Sequence, residues 1–333
     1  MNADKDKMGS IRVYLCLPAA ILLCCSNVGA AVVAQDGSGD FKTVAAALAS
    51  GANEIRIEPG TYYERLTIDR PHVSLRGTGA RPQDVVLTYD LSAGTGGGTT
   101  KSASLTVTGD DFYAENLTME NSFTRTRPLA HEGSQAVALK VTGDRAVFRR
   151  VRFLGYQDTL YAASRRCESD SGPCAPARQY FDDCYIEGNV DFIFGDALAY
   201  FRNCEIHALA HSTIMLTAQS KHYPEEASGY VFDHCRITAA PGAEHIYLGR
   251  PWRNYATVVY LDCTLDAPIE AAGWHEWEHN GKASLPTAFY AEFRSAGPGA
   301  NPQRRQLTAA EAAKFALSKF LAGDDHWDPT KVH

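Results

Sequence analysis

A chain of 333 residues, 45% apolar and 21% charged with no biased tract, is not a disordered polymer and carries enough apolar material for a sizeable core. Its formal charge of −7 argues against nucleic acid as a partner. That charge still permits an acidic polymer, provided the polymer's neutral stretches enter a cleft with locally placed Arg or Lys.

The chain opens on Lys5, Lys7 and Arg12, then an apolar run over residues 13–25, then Val28-Gly29-Ala30. This is the pattern of a signal peptide ending at a small-residue cleavage site. The run is too short for a comfortable membrane span, so no span is expected. Lipidation at Cys24 or Cys25 is disfavoured by Leu22 and Leu23, which stand where small residues would be wanted. The expected organisation is a signal peptide over 1–30 and one domain over 31–333, secreted to the extracellular space, cell wall or periplasm. Removing the leader leaves Cys167, Cys174, Cys184, Cys204, Cys235 and Cys263, an even number that permits disulfides in an exported chain. No Cys-x-x-Cys and no Cys/His cluster points to zinc.

Residues 84–101 include a stretch, 94–98, that is nearly all glycine, and predict a flexible surface excursion. Neither a Lys-Ser/Thr pair nor a helix signal follows it in the position a phosphate loop requires. From there the chain repeats itself. Leu117, Val151, Cys184, Cys204, Cys235 and Cys263 act as anchors, separated by 34, 33, 20, 31 and 28 residues. Three before each stand Ala114, Phe148, Phe181, Phe201, Phe232 and Tyr260; two after stand Met119, Phe153, Ile186, Ile206, Ile237 and Leu265. Alternation at anchor and plus two reads as a short strand with one buried face, and a unit that cannot close its own core must stack on copies of itself. The predicted fold is all-β, a right-handed parallel β-helix. Turn signals at Pro59-Gly60, Thr142-Gly143-Asp144 and Gly188-Asn189 fall between the strand candidates. Residues 308–321 have helical apolar spacing behind a capping box from Thr308 to Glu311, and predict a terminal helix packed on the coils.

The repeat also places chemistry. Seven residues beyond the anchor, one coil carries Asp158 and the next carries Asp191, with Gly155 and Gly188 four beyond their anchors. Parallel neighbours lie ~4.8 Å apart, so stacked carboxylates would share one substrate. Two such groups cannot both ionise cheaply; one keeps its proton and the other its charge. Asp191 sits in the apolar run Val190-Asp191-Phe192-Ile193-Phe194, where an unpaired charge is costly. Arg250 is the candidate partner, able to hold a carboxylate with two hydrogen bonds and depress its pKa. Gln157 and Gln135 can donate side-chain N–H groups to a developing oxyanion without carrying charge. Trp252, Tyr161, Phe194 and Tyr156 offer flat apolar faces to a sugar. Taken singly, an Asp in a turn, a Gln on a coil or a buried ring is more often structural; their nearness to one another favours the chemical reading.

The motifs Gly60-Thr61-Tyr62-Tyr63-Glu64, Gln135-Ala136-Val137-Ala138-Leu139, Gly155-Tyr156-Gln157-Asp158-Thr159-Leu160-Tyr161, Val190-Asp191-Phe192-Ile193-Phe194-Gly195 and Leu248-Gly249-Arg250-Pro251-Trp252 resemble, in this order, those of pectin methylesterases (pectinesterases). Asp36-Gly37-Ser38-Gly39-Asp40-Phe41 and Gly273-Trp274 extend the resemblance over almost all of the chain beyond the leader. It implies a pectin-lyase-like solenoid and hydrolysis of the methyl esters of homogalacturonan, giving methanol, without metal or cofactor. By position it implies Asp191 as nucleophile, Asp158 as general acid/base, Gln135 and Gln157 as oxyanion donors, and Arg250 and Trp252 as positioning residues. A monomer acting on methylated pectin is expected. Two positions depart from the pattern: Asn189 stands where Thr is usual, and Asp196 where Asn is common, adding a negative charge near the site that would raise a neighbouring carboxyl. The loop over 162–178 is longer than in plant relatives and contains Cys167 and Cys174, expected to bridge locally; Cys184 and Cys204, equivalent on neighbouring coils, are the second expected disulfide. No inhibitor-like pro-region precedes Asp36, so no such cleavage is expected. A pectate lyase or galacturonan hydrolase would use the same solenoid, but a lyase would want a calcium-binding acidic cluster and a basic proton abstractor in place of the two glutamines. A catalytically idle carbohydrate-binding relative is the remaining alternative.

Overall fold

A computed structural model describes residues 30–127, 133–165, 177–279 and 282–333. The leader and the expected Cys167–Cys174 bridge lie outside the described residues. The chain winds as a parallel β-helix with three faces. On the first, ten strands stack in sequence order from Ala31–Val33 to Phe289–Phe293. The second face begins with Gly60–Tyr63 and Val85–Tyr89, continues through the far halves of the long strands Tyr113–Asn121 and Ala146–Leu154, and ends with Tyr185–Gly188, Glu205–Ala208, Arg236–Ala239 and Thr264–Leu265. The third face is a six-stranded sheet of β1 (Leu66–Ile68), β2 (Leu105–Val107), β3 (Leu139–Val141), β4 (Leu160–Ala162), β5 (Ile193–Gly195) and β6 (Thr217–Gln219). Every strand pair on these faces is parallel; among the described residues one short pair, Glu278–His279 with Lys282–Ala283, is antiparallel.

The rows expected from the repeat pair as stacked neighbours. Ala114, Phe148, Phe181, Phe201, Phe232 and Tyr260 form one continuous register. Met119, Phe153, Ile186, Ile206, Ile237 and Leu265 form another. Both rows are buried in the coil. From Phe148 to Tyr260 successive rings stack at 4.6–4.8 Å, tilted by no more than 11°. The separation is that of the strands, so identical residues on successive coils fill the interior without a gap, each contributing about 1.5–3 kcal/mol of burial. The residue before each anchor (Asn116, Arg150, Asp183, Asn203, His234, Asp262) has a φ between 50° and 55°. This left-handed residue turns the chain from the first face to the second, which explains why the anchor and its minus-three partner both point inward across a corner.

The four cysteine anchors are buried free thiols, so the expected Cys184–Cys204 disulfide is absent. Stacked side chains on parallel coils run side by side at the strand spacing, whereas a disulfide needs Cβ atoms ~3.8 Å apart and turned toward one another. Each thiol instead donates to a carbonyl of the coil before it, as from Cys204 to Phe181 (3.5 Å) and from Cys235 to Phe201 (3.3 Å).

Three further segments sharpen or correct the reading of the sequence. The short helix Val44–Ala49 covers the first coil, and its leading N–H groups, on Val44 and Ala45, donate to the Glu64 carboxylate at 2.9 and 2.8 Å; the motif ending at Glu64 thus serves as a cap. The glycine-rich stretch forms a helical turn, Ala93–Gly96, closed by reciprocal Ser92 and Thr95 bonds, and a 3₁₀ turn, Thr99–Lys101. The N–H groups of Ala93 and Gly94 donate to the carbonyls of Gln135 and Gly133 at 2.7 and 3.0 Å, so this segment buttresses the chain at Gln135 instead of waving free. The terminal helix starts with the expected Thr308–Glu311 capping box but breaks at Ala316, whose ψ is 139°, into Ala309–Ala312, a 3₁₀ turn and Leu317–Phe320. Five residues along one helix would turn Phe320 about 140° away from Phe315. The break lets both rings reach the outer side of the first face, against Phe289 and Tyr200.

Candidate active site

The third face carries the cleft. Along its outward side one row reads Thr67, Thr106, Lys140, Tyr161, Phe194, Ala218 across β1 to β6. Three residues upstream of Tyr161 and Phe194 stand Asp158 and Asp191, at the same 33-residue offset that pairs Leu160 with Ile193. The N–H of Asp158 donates to the Val190 carbonyl at 3.1 Å, continuing the ladder to this point. Both aspartates are left-handed, with φ of 64° and 52°, a conformation that Asp tolerates better than most residues. They mark the corner into the third face as the pre-anchor residues mark the earlier one. Gly188 makes the second corner possible, because a Cβ there would lie 2.3 Å from the Phe192 side chain and 2.5 Å from the Tyr156 carbonyl.

The two carboxyls are both buried but differ in partners. Asp191 is held bidentately by Arg250, Nε donating to Oδ1 at 2.8 Å and Nη2 to Oδ2 at 2.6 Å. Arg250 comes from the chain lying beyond β6, its own N–H donating to Thr217 at 2.9 Å. Gly249 before it has no room for a side chain, since a Cβ would lie 2.0 Å from the Thr217 hydroxyl. Among the described residues no hydrogen bond or ion pair engages the Asp158 carboxyl. Burial, with the negative charge of Asp191 next, pushes Asp158 well above the carboxylate range; the more distant Arg250 opposes this only in part. Burial also raises Asp191, against the pull of Arg250 and a smaller one from His275. The expected net depression of Asp191 therefore does not occur. Desolvation outweighs the guanidinium, and the difference between the carboxyls survives because only one of them is clamped.

Gln135 and Gln157 lie on neighbouring coils, the N–H of Ala136 donating to the Gln157 carbonyl at 3.1 Å. Both are partly exposed, and among the described residues neither amide group is engaged in a hydrogen bond. Tyr161 and Phe194 stack at 4.4 Å, Phe194 meets Trp252 at 6.0 Å, and Trp252 meets Trp277 at 6.4 Å. Tyr156 is partly buried beside Gln157 but does not join this aromatic cluster. Trp277 was not foreseen: the Arg250 guanidinium lies 4.2 Å from its ring centre, so the arginine is held between a carboxylate and an aromatic face. Its neighbour Trp274, part of the foreseen Gly273-Trp274 motif, stacks on Tyr290 and packs against the core instead.

A pectinesterase family model matches residues 30–324. The chain belongs to the pectinesterase family. It is 38% identical over 322 residues to a probable pectinesterase/pectinesterase inhibitor 17 of Arabidopsis thaliana, an alignment covering 91% of this chain and 58% of that one. The chain thus spans less than two thirds of the length of that relative. Among solved structures it resembles the pectin methylesterase from carrot, with a TM-score of 0.78 and 32% identity over 90% of this chain and 95% of the other. A pectin methylesterase in complex with a hexasaccharide gives a TM-score of 0.77 and 33% identity, covering 90% of this chain and 98% of that one. Of the two departures from pectinesterase motifs, Asn189 uses its side chain locally, accepting from the Val190 N–H at 2.7 Å. Asp196 is buried and accepts from the N–H and hydroxyl of Ser164 at 2.7 and 2.6 Å. After burial, its charge raises Tyr161 and, as expected of it, a neighbouring carboxyl, that of Glu226, whereas the charges acting on Asp158 are those of Asp191 and Arg250, and those acting on Asp191 are Arg250 and His275.

Proposed function

We propose that this chain hydrolyses the methyl esters of homogalacturonan, releasing methanol and leaving a galacturonate carboxylate on the polymer. The observation that carries the reading is the unequal pair: stacked carboxyls of which Asp191 alone is clamped by Arg250, while Asp158 is pushed toward its neutral form. In this reading an Asp191 oxygen attacks the ester carbonyl, and the Gln135 and Gln157 amides donate to the oxyanion. Collapse of the tetrahedral intermediate breaks the bond to the methoxyl oxygen, which takes the proton of Asp158 and leaves as methanol. An anhydride between Asp191 and the galacturonyl group remains. Asp158, now a carboxylate, removes a proton from water as that water adds to the galacturonyl carbonyl, releasing Asp191 and restoring the proton to Asp158. Trp252, Phe194 and Tyr161 support the sugar chain. No step calls for a metal.

The substrate lies outside cells, and the same reading takes residues 1–30 as the export signal. Among the described residues no helix is long and apolar enough to cross a membrane. The test is methanol release from highly methylated pectin by the wild-type chain and by Asp191→Ala, with circular dichroism as a check on folding. Loss of nearly all turnover in a folded variant is expected. Substantial residual methanol would remove Asp191 from the nucleophile's role.

A further inference from the structure

Two of the rows that line the interior break their own pattern, and both breaks point at one atom. Across the third face the inward row reads Leu66, Leu105, Leu139, Leu160, Ile193 and then Thr217. The ring row reads Phe148, Phe181, Phe201, Phe232 and then Tyr260. Thr217 and Tyr260 are fully buried, in places where valine and phenylalanine would continue the pattern and where a hydroxyl is costly unless it is bonded. Both hydroxyls donate to the Leu248 carbonyl, Thr217 Oγ1 at 2.9 Å and Tyr260 Oη at 3.1 Å. Leu248 stands two residues before Arg250, just past the two-residue strand Ile246–Tyr247. Backbone bonds tie this short stretch to its neighbours: the Leu248 N–H donates to Gly273 at 2.7 Å, and the Gly249 carbonyl accepts from the His275 N–H at 3.0 Å. The Thr217 hydroxyl fills the space that a side chain on Gly249 would need.

We infer that Thr217 and Tyr260 are positioning residues for the reaction, setting through the Leu248 carbonyl the place from which Arg250 grips Asp191. The inference rests on the proposed esterase reading and extends it into the interior of the coil. A carbonyl oxygen has two lone pairs; one donor satisfies it, and two donors from different faces fix its direction. Arg250 needs that direction fixed, because its two bonds to Asp191, at 2.8 and 2.6 Å, form together only if the guanidinium starts from one place. The two hydroxyls carry unequal weight. Thr217→Val puts a methyl group where the hydroxyl now lies 2.9 Å from the carbonyl oxygen, closer than the ~3.5 Å of a carbon contact, and so pushes the peptide that leads to Arg250. Tyr260→Phe removes a donor and adds no atom.

The experiment follows methanol release from methylated pectin against pH for the wild type, Thr217→Val, Thr217→Ser and Tyr260→Phe. Thr217→Val is expected to lose about tenfold in kcat with KM little changed, and Tyr260→Phe about threefold. In both, the acid limb of the kcat profile moves to higher pH, because a loosened guanidinium stabilises the Asp191 carboxylate less. Thr217→Ser keeps the hydroxyl and should keep the wild-type limb. His275, Asp158 and Tyr290, the other titratable groups coupled to Asp191, are left in place by every variant. In an Arg250→Ala background Thr217→Val should cost nothing further, since its effect runs through the missing guanidinium. A kcat loss of the same size in that background, or an acid limb that stays put in both Thr217→Val and Tyr260→Phe, overturns the inference. Exchange of the Arg250 Nε–H, followed by NMR, gives a readout independent of turnover. This group donates to Asp191 Oδ1, and its exchange should quicken about tenfold in Thr217→Val while staying slow in Thr217→Ser. If that holds while no protein releases methanol, the esterase reading falls and the positioning stands; unchanged exchange in Thr217→Val and Tyr260→Phe removes it. Tyr260→Phe alone decides the question if Thr217→Val does not fold.

Discussion

Inside the coil and on its third face the same repeat stacks like upon like, with opposite energetic signs. In the interior, Phe148, Phe181, Phe201 and Phe232 lie ring on ring at 4.6–4.8 Å and are fully buried. On the third face the repeat stacks Tyr161 on Phe194 at a similar 4.4 Å, but three residues upstream it stacks one carboxyl on another. Rings gain dispersion and burial from that register. Carboxyls lose hydration and repel. The solenoid tolerates the second arrangement because Arg250 clamps one member and burial pushes the other toward its neutral form, the two states that the proposed nucleophile and acid require. The comparison teaches that the site is a local violation of what makes the fold stable, as a site built for reactivity is expected to be.

The sharpest way to break the outer stack is to remove its clamp. Arg250→Ala leaves Asp191 buried without its counter-ion, and its pKa, already raised by burial, rises further. Turnover of methylated pectin is expected to fall roughly 10³-fold, the scale seen when an electrostatic group is lost from a water-poor site. The acid limb of the kcat profile should move to higher pH, because Asp191 must now be deprotonated against a larger penalty. Arg250→Lys, which keeps the charge but loses the fork, should fall between the two. An acid limb that does not move would mean that Arg250 acts on the substrate and not on Asp191.

Breaking the inner stack should do the reverse. Phe201→Ala removes a fully buried ring between Phe181 and Phe232 and should cost ~3–5 kcal/mol of unfolding free energy. The denaturant midpoint reports this loss, while kcat at low temperature should stay close to wild type because Phe201 faces away from the cleft. A large fall in kcat in the folded variant would show that the two stacks are coupled.

How much of this could be read beforehand follows from the same repeat. A solenoid converts a sequence offset into a spatial neighbour, so the anchors, the minus-three and plus-two rows and the stacked position of Asp158 and Asp191 were legible from spacing. Arg250 was legible from chemistry, since a carboxylate in an apolar run requires a cation. Features set by direction or by irregular chain were not. The left-handed corner residues are Asn, Arg, Asp and His, with polarity as their main shared property. The thiols sit at the right spacing for a bridge but run side by side. The glycine-rich turn owes its order to backbone bonds near Gln135, and the break at Ala316 to two rings seeking one surface. Trp277 escaped because it lies on the irregular segment after Gly273, outside the coil register; its spacing of three from Trp274 was the signal available.

Trp277 sharpens the comparison on a smaller scale, being an aromatic face used to hold a cation instead of another ring. Trp277→Ala should lower kcat/KM on methylated pectin roughly 3- to 30-fold, in line with one partly desolvated cation–π contact. Trp277→Phe should recover part of the loss. If Trp277 acts through Arg250, the acid limb of the kcat profile shifts in the same direction as in Arg250→Ala, by less. A change confined to KM would instead make it a sugar-binding surface.

The smallest effect expected, and the most direct measure of what the carboxyl stack costs, is on stability. Asp158 keeps its proton in the folded chain above the pH at which an unfolded carboxyl, with a pKa near 3.9, releases it. Between those two values folding takes up a proton, so the stability contributed by this residue falls as pH rises through the interval. Asp158→Asn preserves the shape and cannot ionise. Its Tm should match wild type below about pH 4, then exceed it by a few degrees toward neutrality, while methanol release falls roughly 10²- to 10⁴-fold with the loss of the acid. A variant less stable than wild type at neutral pH would mean that the Asp158 carboxylate is favourably paired in the fold, and the unequal-pair argument would then lose its acid.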